Sequence, residues 1–94
     1  MKPIHNSIIC KDGTKLSIQA SMFHYCSPRN DTGPYLKVEV GFITDKNGEP
    51  VTPPKTWKEY ADGEFPNDVY GYVPTDMVEK FIKSHGGISI GESI

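Results

Sequence analysis

The side chains best suited to binding or reaction are concentrated in one stretch of this 94-residue chain, residues 23–35. It contains the only arginine, Arg29, among aromatic and hydroxyl side chains. A guanidinium fork suits the paired oxygens of a carboxylate or phosphate, and tyrosine rings can stack on a base. The stretch predicts a site for a small anionic, nucleotide-like ligand; the alternative is that Arg29 pairs with Asp31 or another acid and only holds the loop. The expected ligand-binding residues here are His24, Tyr25, Ser27, Arg29 and Tyr35.

Two further tyrosines, Tyr70 and Tyr72, flank Gly71 in a short apolar segment. Side chains alternate along a strand, so the spacing predicts that both rings lie on one face while Gly71 leaves a gap on the other. We expect them to line the ligand cleft together with Tyr25 or Tyr35. The alternative is that they are half-buried core residues.

A catalytic or metal site has little support in the sequence. His24 and Cys26 lie two residues apart, which suits a nucleophile with its base, but alternation assigns Cys26 to the core face, where a thiol is inert. The chain has no CxxC, HxxxH, GxSxG or P-loop pattern. The sequence therefore predicts a protein that is not an enzyme and that needs neither a metal nor a cofactor.

A second candidate surface lies in the proline-rich segment, residues 49–68. Aromatic side chains beside dispersed carboxylates are typical of protein interfaces, in which aromatic anchors are surrounded by a polar rim. The other interpretation is a solvated acidic face that covers the sheet. The expected partner-binding residues are Trp57, Glu59, Tyr60, Asp62 and Glu64.

The elements that position these residues predict an α+β fold. We expect an antiparallel sheet of about four to five short strands, with one α-helix from the C-terminal half packed on it. Thr75 is the expected N-cap of this helix, and Gly86 its stop. The predicted strands are 7–10 and 14–20 around an Asp12-Gly13 turn, 35–42 and 69–73; the predicted helix is 76–85; and 88–90 is a final edge strand or a loose tail.

Length and charge restrict the function classes. The chain is expected to be a single domain, 1–94. Its net charge of −2 with no basic stripe disfavours duplex nucleic acid as a partner. No stretch of eighteen apolar residues and no signal peptide is apparent, so we expect no membrane association, a cytoplasmic location and unpaired thiols at Cys10 and Cys26.

Two stretches, residues 16–29 (LSIQASMFHYCSPR) and 69–87 (VYGYVPTDMVEKFIKSHGG), resemble small proteins encoded by bacteriophages and prophages. Phage proteins of this size often inhibit host defence, either by sequestering nucleotide immune signals or by binding a defence nuclease. The resemblance thus implies an anti-defence binding protein in the host cytoplasm. The first hypothesis is sequestration of a nucleotide-like ligand by a homo-oligomer, and the second is inhibition of a host defence protein by direct contact.

Overall fold

The computed structural model describes residues 4–65 and 68–91, which form six strands, one α-helix and one 3₁₀ helix. In chain order these elements are β1 (Ile4–Cys10), β2 (Lys15–Ala20), β3 (Lys37–Thr44), the 3₁₀ helix (Lys55–Tyr60), β4 (Ala61–Asp62), β5 (Val69–Pro74), α1 (Thr75–Ser84) and β6 (Ile88–Ile90).

All six strands form one antiparallel sheet with the order β4-β5-β3-β2-β1-β6. The α+β fold is therefore confirmed, but the predicted count of four to five strands is too low. The additional strand is β4, which has only two residues and lies in the proline-rich segment, where no alternation of side chains could indicate it. The C-terminal segment is an edge strand, β6, that pairs with β1.

One face of the sheet carries the core and is covered by α1. Alternate residues of β1, β2 and β3 are fully buried there, as their period of two predicts: Ile8, Leu16, Ile18, Val38 and Val40. The helix buries Val78, Phe81 and Ile82 against them. Among the described residues, no helix combines the length and the apolar character that crossing a bilayer requires.

Trp57 of the 3₁₀ helix completes this core. Its ring centroid lies 5.4 Å from that of Phe81 and 5.8 Å from that of Tyr70, in an edge-on arrangement with the tyrosine. Only 2% of Trp57 is exposed. A large buried ring contributes strongly to stability, so this contact anchors the proline-rich segment to the sheet.

Helix α1 begins without the predicted cap. Thr75 is its first helical residue, and the preceding Pro74 makes no side-chain capping bond. Because β5 runs directly into α1, the Thr75 amide instead donates to the Leu36 carbonyl, 3.0 Å away. A neighbouring loop thus supplies the acceptor that a capping side chain usually provides.

The C-terminal end of α1 docks on the β1–β2 turn. Gly86 has φ +93°, as expected for the residue that ends a helix. The Asp12 amide donates to the His85 carbonyl (3.2 Å), and the Asp12 carboxylate lies 2.6 Å from His85 Nδ1. The Asp12 carboxylate also accepts from the Thr14 amide at 2.9 Å. Helix and hairpin are therefore joined by backbone hydrogen bonds and by a contact between two ionisable side chains, Asp12 and His85.

Two β-bulges lie in neighbouring strands of the sheet, one in β3 and one in β5. The register shows one extra residue in each strand relative to its partner, at the positions of Phe42 and Tyr72. Both residues have positive φ, 54° and 57°, a conformation that is unfavourable for residues other than glycine. Both side chains are exposed, Phe42 by 78%. Each bulge thus turns an aromatic ring away from the core at a cost in backbone energy.

We predict that Phe42→Gly is more stable than Phe42→Ala by about 1 kcal/mol. Both changes remove a ring that buries little surface, but only glycine relieves the left-handed backbone. For a domain of this size the difference corresponds to a melting temperature about 4–8 °C higher. Urea unfolding of both variants measures it. Equal stability of the two would show that the backbone at Phe42 is not strained.

We predict that Asp12→Asn destabilises the protein at neutral pH and that the difference from the native protein disappears in acid. The Thr14 amide, and then His85, lower the pKa of Asp12 from 3.8 to about 2. Because the pKa of Asp12 is lower in the folded state, its negative charge stabilises the fold at pH values above the unfolded-state pKa of 3.8. This stabilisation is lost as the pH falls through about 2. Asparagine retains an oxygen that can accept from the Thr14 amide, so the variant removes the negative charge and keeps this hydrogen bond. Thermal unfolding between pH 7 and pH 2 tests this; a constant difference would contradict it.

Candidate functional site

An exposed pair of tyrosines lies where the first candidate loop meets β5. The Tyr72 amide donates to the Tyr25 carbonyl (2.8 Å), and the two ring centroids are 6.0 Å apart with a 33° angle between the planes. The rings remain 42% and 41% exposed. Exposed rings held in mutual contact offer a large apolar surface that needs little further ordering on binding.

Gly71 allows this approach. A Cβ atom at this position would lie 2.8 Å from the Tyr25 Cβ, closer than real Cβ contacts occur. A glycine inside a strand commonly marks such a close approach. The sequence showed the gap beside Tyr70 and Tyr72 but not that Tyr25 fills it, because Tyr25 is distant in the chain.

Arg29 lies against the same pair, with its Cζ atom 5.5 Å from the centroid of the Tyr25 ring. This distance is within the range of cation–π attraction. Within the described residues no carboxylate oxygen is found within 4.0 Å of its guanidinium. Asp31 accepts from the Met22 amide instead, at 2.9 Å. The alternative of an Arg29–Asp31 ion pair is therefore wrong.

A cleft of about 300 Å³ opens beside the tyrosine pair and joins the two candidate surfaces of the sequence. One wall comes from the loop and β5, and the other comes from the end of the 3₁₀ helix and from β4. The lining residues are Tyr25, Glu59, Tyr60, Asp62, Gly71 and Tyr72.

The cleft carries negative charge. Glu59 and Asp62 are exposed carboxylates, and the described residues that line the cleft include no lysine or arginine. Glu59 lies beside the Tyr60 phenol. The hydrogen bond between the two side chains raises the pKa of Tyr60, and burial of the phenol raises it by a smaller amount. Two carboxylates in one cleft favour a cation over a phosphate as its occupant.

Tyr70 does not share a face with Tyr72, contrary to the prediction from alternation. Because the bulge in β5 inserts one residue, Tyr70 faces the core with 6% exposure. Its hydroxyl donates to the Asp68 carboxylate. Burial of the phenol, and to a smaller extent this hydrogen bond, raises the pKa of Tyr70 well above its usual value. Tyr70 is a core residue and does not line the cleft beside Tyr25 and Tyr72.

Tyr35 and His24 hold the candidate loop in place. Tyr35 is buried, and its hydroxyl donates to the Asn30 carbonyl at 2.6 Å. His24 Nδ1 lies 2.6 Å from the Ser21 hydroxyl oxygen. Neither residue lines the cleft, but both form contacts that fix the path of the chain around Tyr25 and Arg29.

Ser27 and Cys26 fasten the same loop to the sheet. The Ser27 amide donates to the Lys37 carbonyl at 3.0 Å. Cys26 is buried, and its thiol donates to the Ser21 carbonyl at 3.1 Å. Cys10 is a second buried free thiol, whose pKa burial raises. Among residues 4–65 and 68–91, no group of three His, Cys, Asp or Glu side chains is placed to hold a metal ion.

Trp57 and Glu64 are the two partner-binding candidates that do not line the cleft. Trp57 is buried in the core, so its ring is not exposed as a contact surface in this structure. Glu64 is exposed. A single tryptophan in an irregular segment has no periodicity, so the sequence offers no sign of which way its ring points.

Comparison with protein families, curated proteins and solved structures finds no match for this chain.

We predict that Gly71→Ala destabilises the protein by about 1–3 kcal/mol and separates Tyr25 from Tyr72. The added methyl group would meet the Tyr25 Cβ at 2.8 Å, an atom too close to the backbone to move alone. Gly41→Ala is the matched control, since its methyl group meets only a Val69 methyl at 3.1 Å. Urea unfolding measures the stability, and contacts between ring protons in NMR spectra report the pair. Equal effects of the two substitutions would contradict the close approach at Gly71.

Proposed function

We propose that the protein is a non-catalytic, phage-type anti-defence factor that binds a host defence protein by direct contact in the host cytoplasm. The observation that supports this proposal is the exposed Tyr25–Tyr72 pair, with the Arg29 guanidinium over the Tyr25 ring, at the mouth of the acidic cleft. Tyrosine and arginine are among the residues that carry most of the binding energy in protein interfaces.

The arrangement around the pair agrees with the usual anatomy of an interface. Aromatic rings lie at the centre, and the carboxylates of Glu59 and Asp62 lie beside them as a polar rim. The cleft volume of about 300 Å³ is at the lower limit of pockets that enclose a small-molecule ligand. Such a cleft suits one side chain of a partner better than a whole nucleotide.

Sequestration of a small anionic, nucleotide-like ligand is the second candidate. Arg29 supports it, because its guanidinium is held on Tyr25 with no carboxylate within 4.0 Å in the described parts of the chain. Glu59 and Asp62 oppose it, because they repel a phosphate in the neighbouring cleft. In this candidate the pocket is completed by a second copy of the chain in a homo-oligomer.

The first proposal predicts that replacing both tyrosines, Tyr25→Ala with Tyr72→Ala, weakens partner binding at least a hundredfold. Two truncated interface anchors at about 2 kcal/mol each would account for this loss. The partner is first captured from bacterial lysate with the native protein, and its affinity for each variant is then measured with purified components. Thermal unfolding verifies that the double variant is folded.

Phe23→Ala is the matched control, because Phe23 is an exposed aromatic of the same loop that does not line the cleft. It should leave the affinity unchanged. A partner bound at full strength by the double variant would show that the tyrosine pair does not contribute to the function.

The second candidate is tested by thermal unfolding of the same preparation with a panel of nucleotides. A ligand at a hundred times its Kd should raise the melting temperature by roughly ten degrees or more, and Arg29→Ala should abolish the rise.

A further inference from the structure

The cleft beside the tyrosine pair has the components of a cation site. Three tyrosines contribute to its walls, and a cation within about 6 Å of a ring centroid is attracted by the negative face of the ring. Glu59 and Asp62 add two carboxylates that can accept hydrogen bonds from a bound ammonium or guanidinium group. Rings and carboxylates thus favour the same kind of occupant.

Three positive side chains, Arg29, Lys55 and Lys58, lie near the cleft but do not line it. Arg29 contacts the Tyr25 ring but is not among the residues that line the cleft. Lys55 and Lys58 line a neighbouring groove along the 3₁₀ helix, which shares Glu59 and Tyr60 with the cleft. The described residues that line the cleft itself include both carboxylates and no lysine or arginine.

Arg29 and Tyr25 already form one contact between a cation and an aromatic ring at this surface. A guanidinium already lies 5.5 Å from the Tyr25 centroid, in an exposed position and without a carboxylate within 4.0 Å among the described residues. In such a position the aromatic ring is the attractive group in contact with the cation. Tyr72 lies beside this ring and lines the cleft, where the carboxylates add to the attraction.

Resting on the proposed function, we infer that the cleft formed by Tyr25, Tyr60 and Tyr72 with Glu59 and Asp62 holds a cationic side chain of the bound protein. Arginine fits it better than lysine, because a planar guanidinium stacks on rings and offers paired donors to carboxylates. The partner is therefore a protein that presents an exposed arginine at its contact surface. Nucleic-acid-cutting enzymes commonly carry such basic surfaces, since they contact phosphates.

The test is an NMR titration of the 94-residue protein with N-acetyl-arginine amide as the probe. N-acetyl-citrulline amide is its uncharged counterpart of nearly the same shape. The arginine probe should cause saturable shifts at Tyr25, Gly71 and Tyr72, and the citrulline probe should bind about tenfold more weakly or not at all. Equal binding of the two probes, or no saturable shift with arginine in the millimolar range, would overturn the inference.

Two sets of variants sharpen the result. Glu59→Gln combined with Asp62→Asn removes the charge while keeping the shape, and should weaken the arginine probe about tenfold. Phe23→Ala should leave that affinity unchanged, because Phe23 does not line the cleft. Undiminished binding by the Glu59/Asp62 variant would contradict a cation site, and so would an equal loss of binding in Phe23→Ala.

The partner complex distinguishes failure of this inference from failure of the proposed function. If the double tyrosine variant loses the partner while Glu59→Gln with Asp62→Asn binds it at full strength, the contact surface is correct and the cationic occupant is wrong. If both variants bind the partner at full strength, the proposed function of the cleft fails as well. Loss of the partner in both variants, together with discrimination against citrulline, supports both.

Discussion

The candidate site depends on one extra residue in β5. Between the pairs Val38–Val73 and Val40–Tyr70, β5 has one residue more than β3. The bulge keeps Tyr70 on the core side beside Trp57 and turns Tyr72 outward with φ 57°. Such a backbone conformation costs on the order of 1–3 kcal/mol and persists only where the surrounding structure holds it. Here the buried contacts of Tyr70 and the paired strand β3 hold it, so core packing maintains an exposed aromatic ring.

The polar residues of the candidate loop serve chiefly to shape it. Ser21 is the centre of this network: its carbonyl accepts from the Cys26 thiol, and its hydroxyl contacts His24 and the Phe23 amide. Side chains whose types suggested catalysis are thus occupied with local structure, as is common where a chain turns sharply without regular secondary structure. Tyr25 and Arg29 remain exposed in this loop, as do Phe23 and Asp31.

The proline-rich segment provides the other wall by a different means. Prolines exclude it from helix interiors and central strands, so it can cross the sheet only as an irregular chain with short elements. Burial of Trp57 fixes the 3₁₀ helix, and the β4–β5 pairing places Ala61 opposite Tyr70 and Asp62 opposite Val69. The polar end of this segment therefore lies beside Gly71 and Tyr72. The buried Trp57 is only a few residues from the exposed Glu59 and Asp62, and the irregular segment has no periodicity that would separate buried from exposed positions in the sequence.

The elements with a regular period could be predicted from the sequence. The alternation in β2 and β3, the Asp12-Gly13 turn and the apolar face of α1 each follow from local geometry, so the α+β fold was predictable. Which aromatic residues are buried depends instead on tertiary packing. A bulge changes the parity of a strand by one residue, and neither its position nor the direction of a ring in an irregular segment has a local signal. For this reason Tyr70 and Trp57 belong to the core, while Tyr25 and Tyr72, 47 positions apart in the chain, meet at the mouth of one cleft.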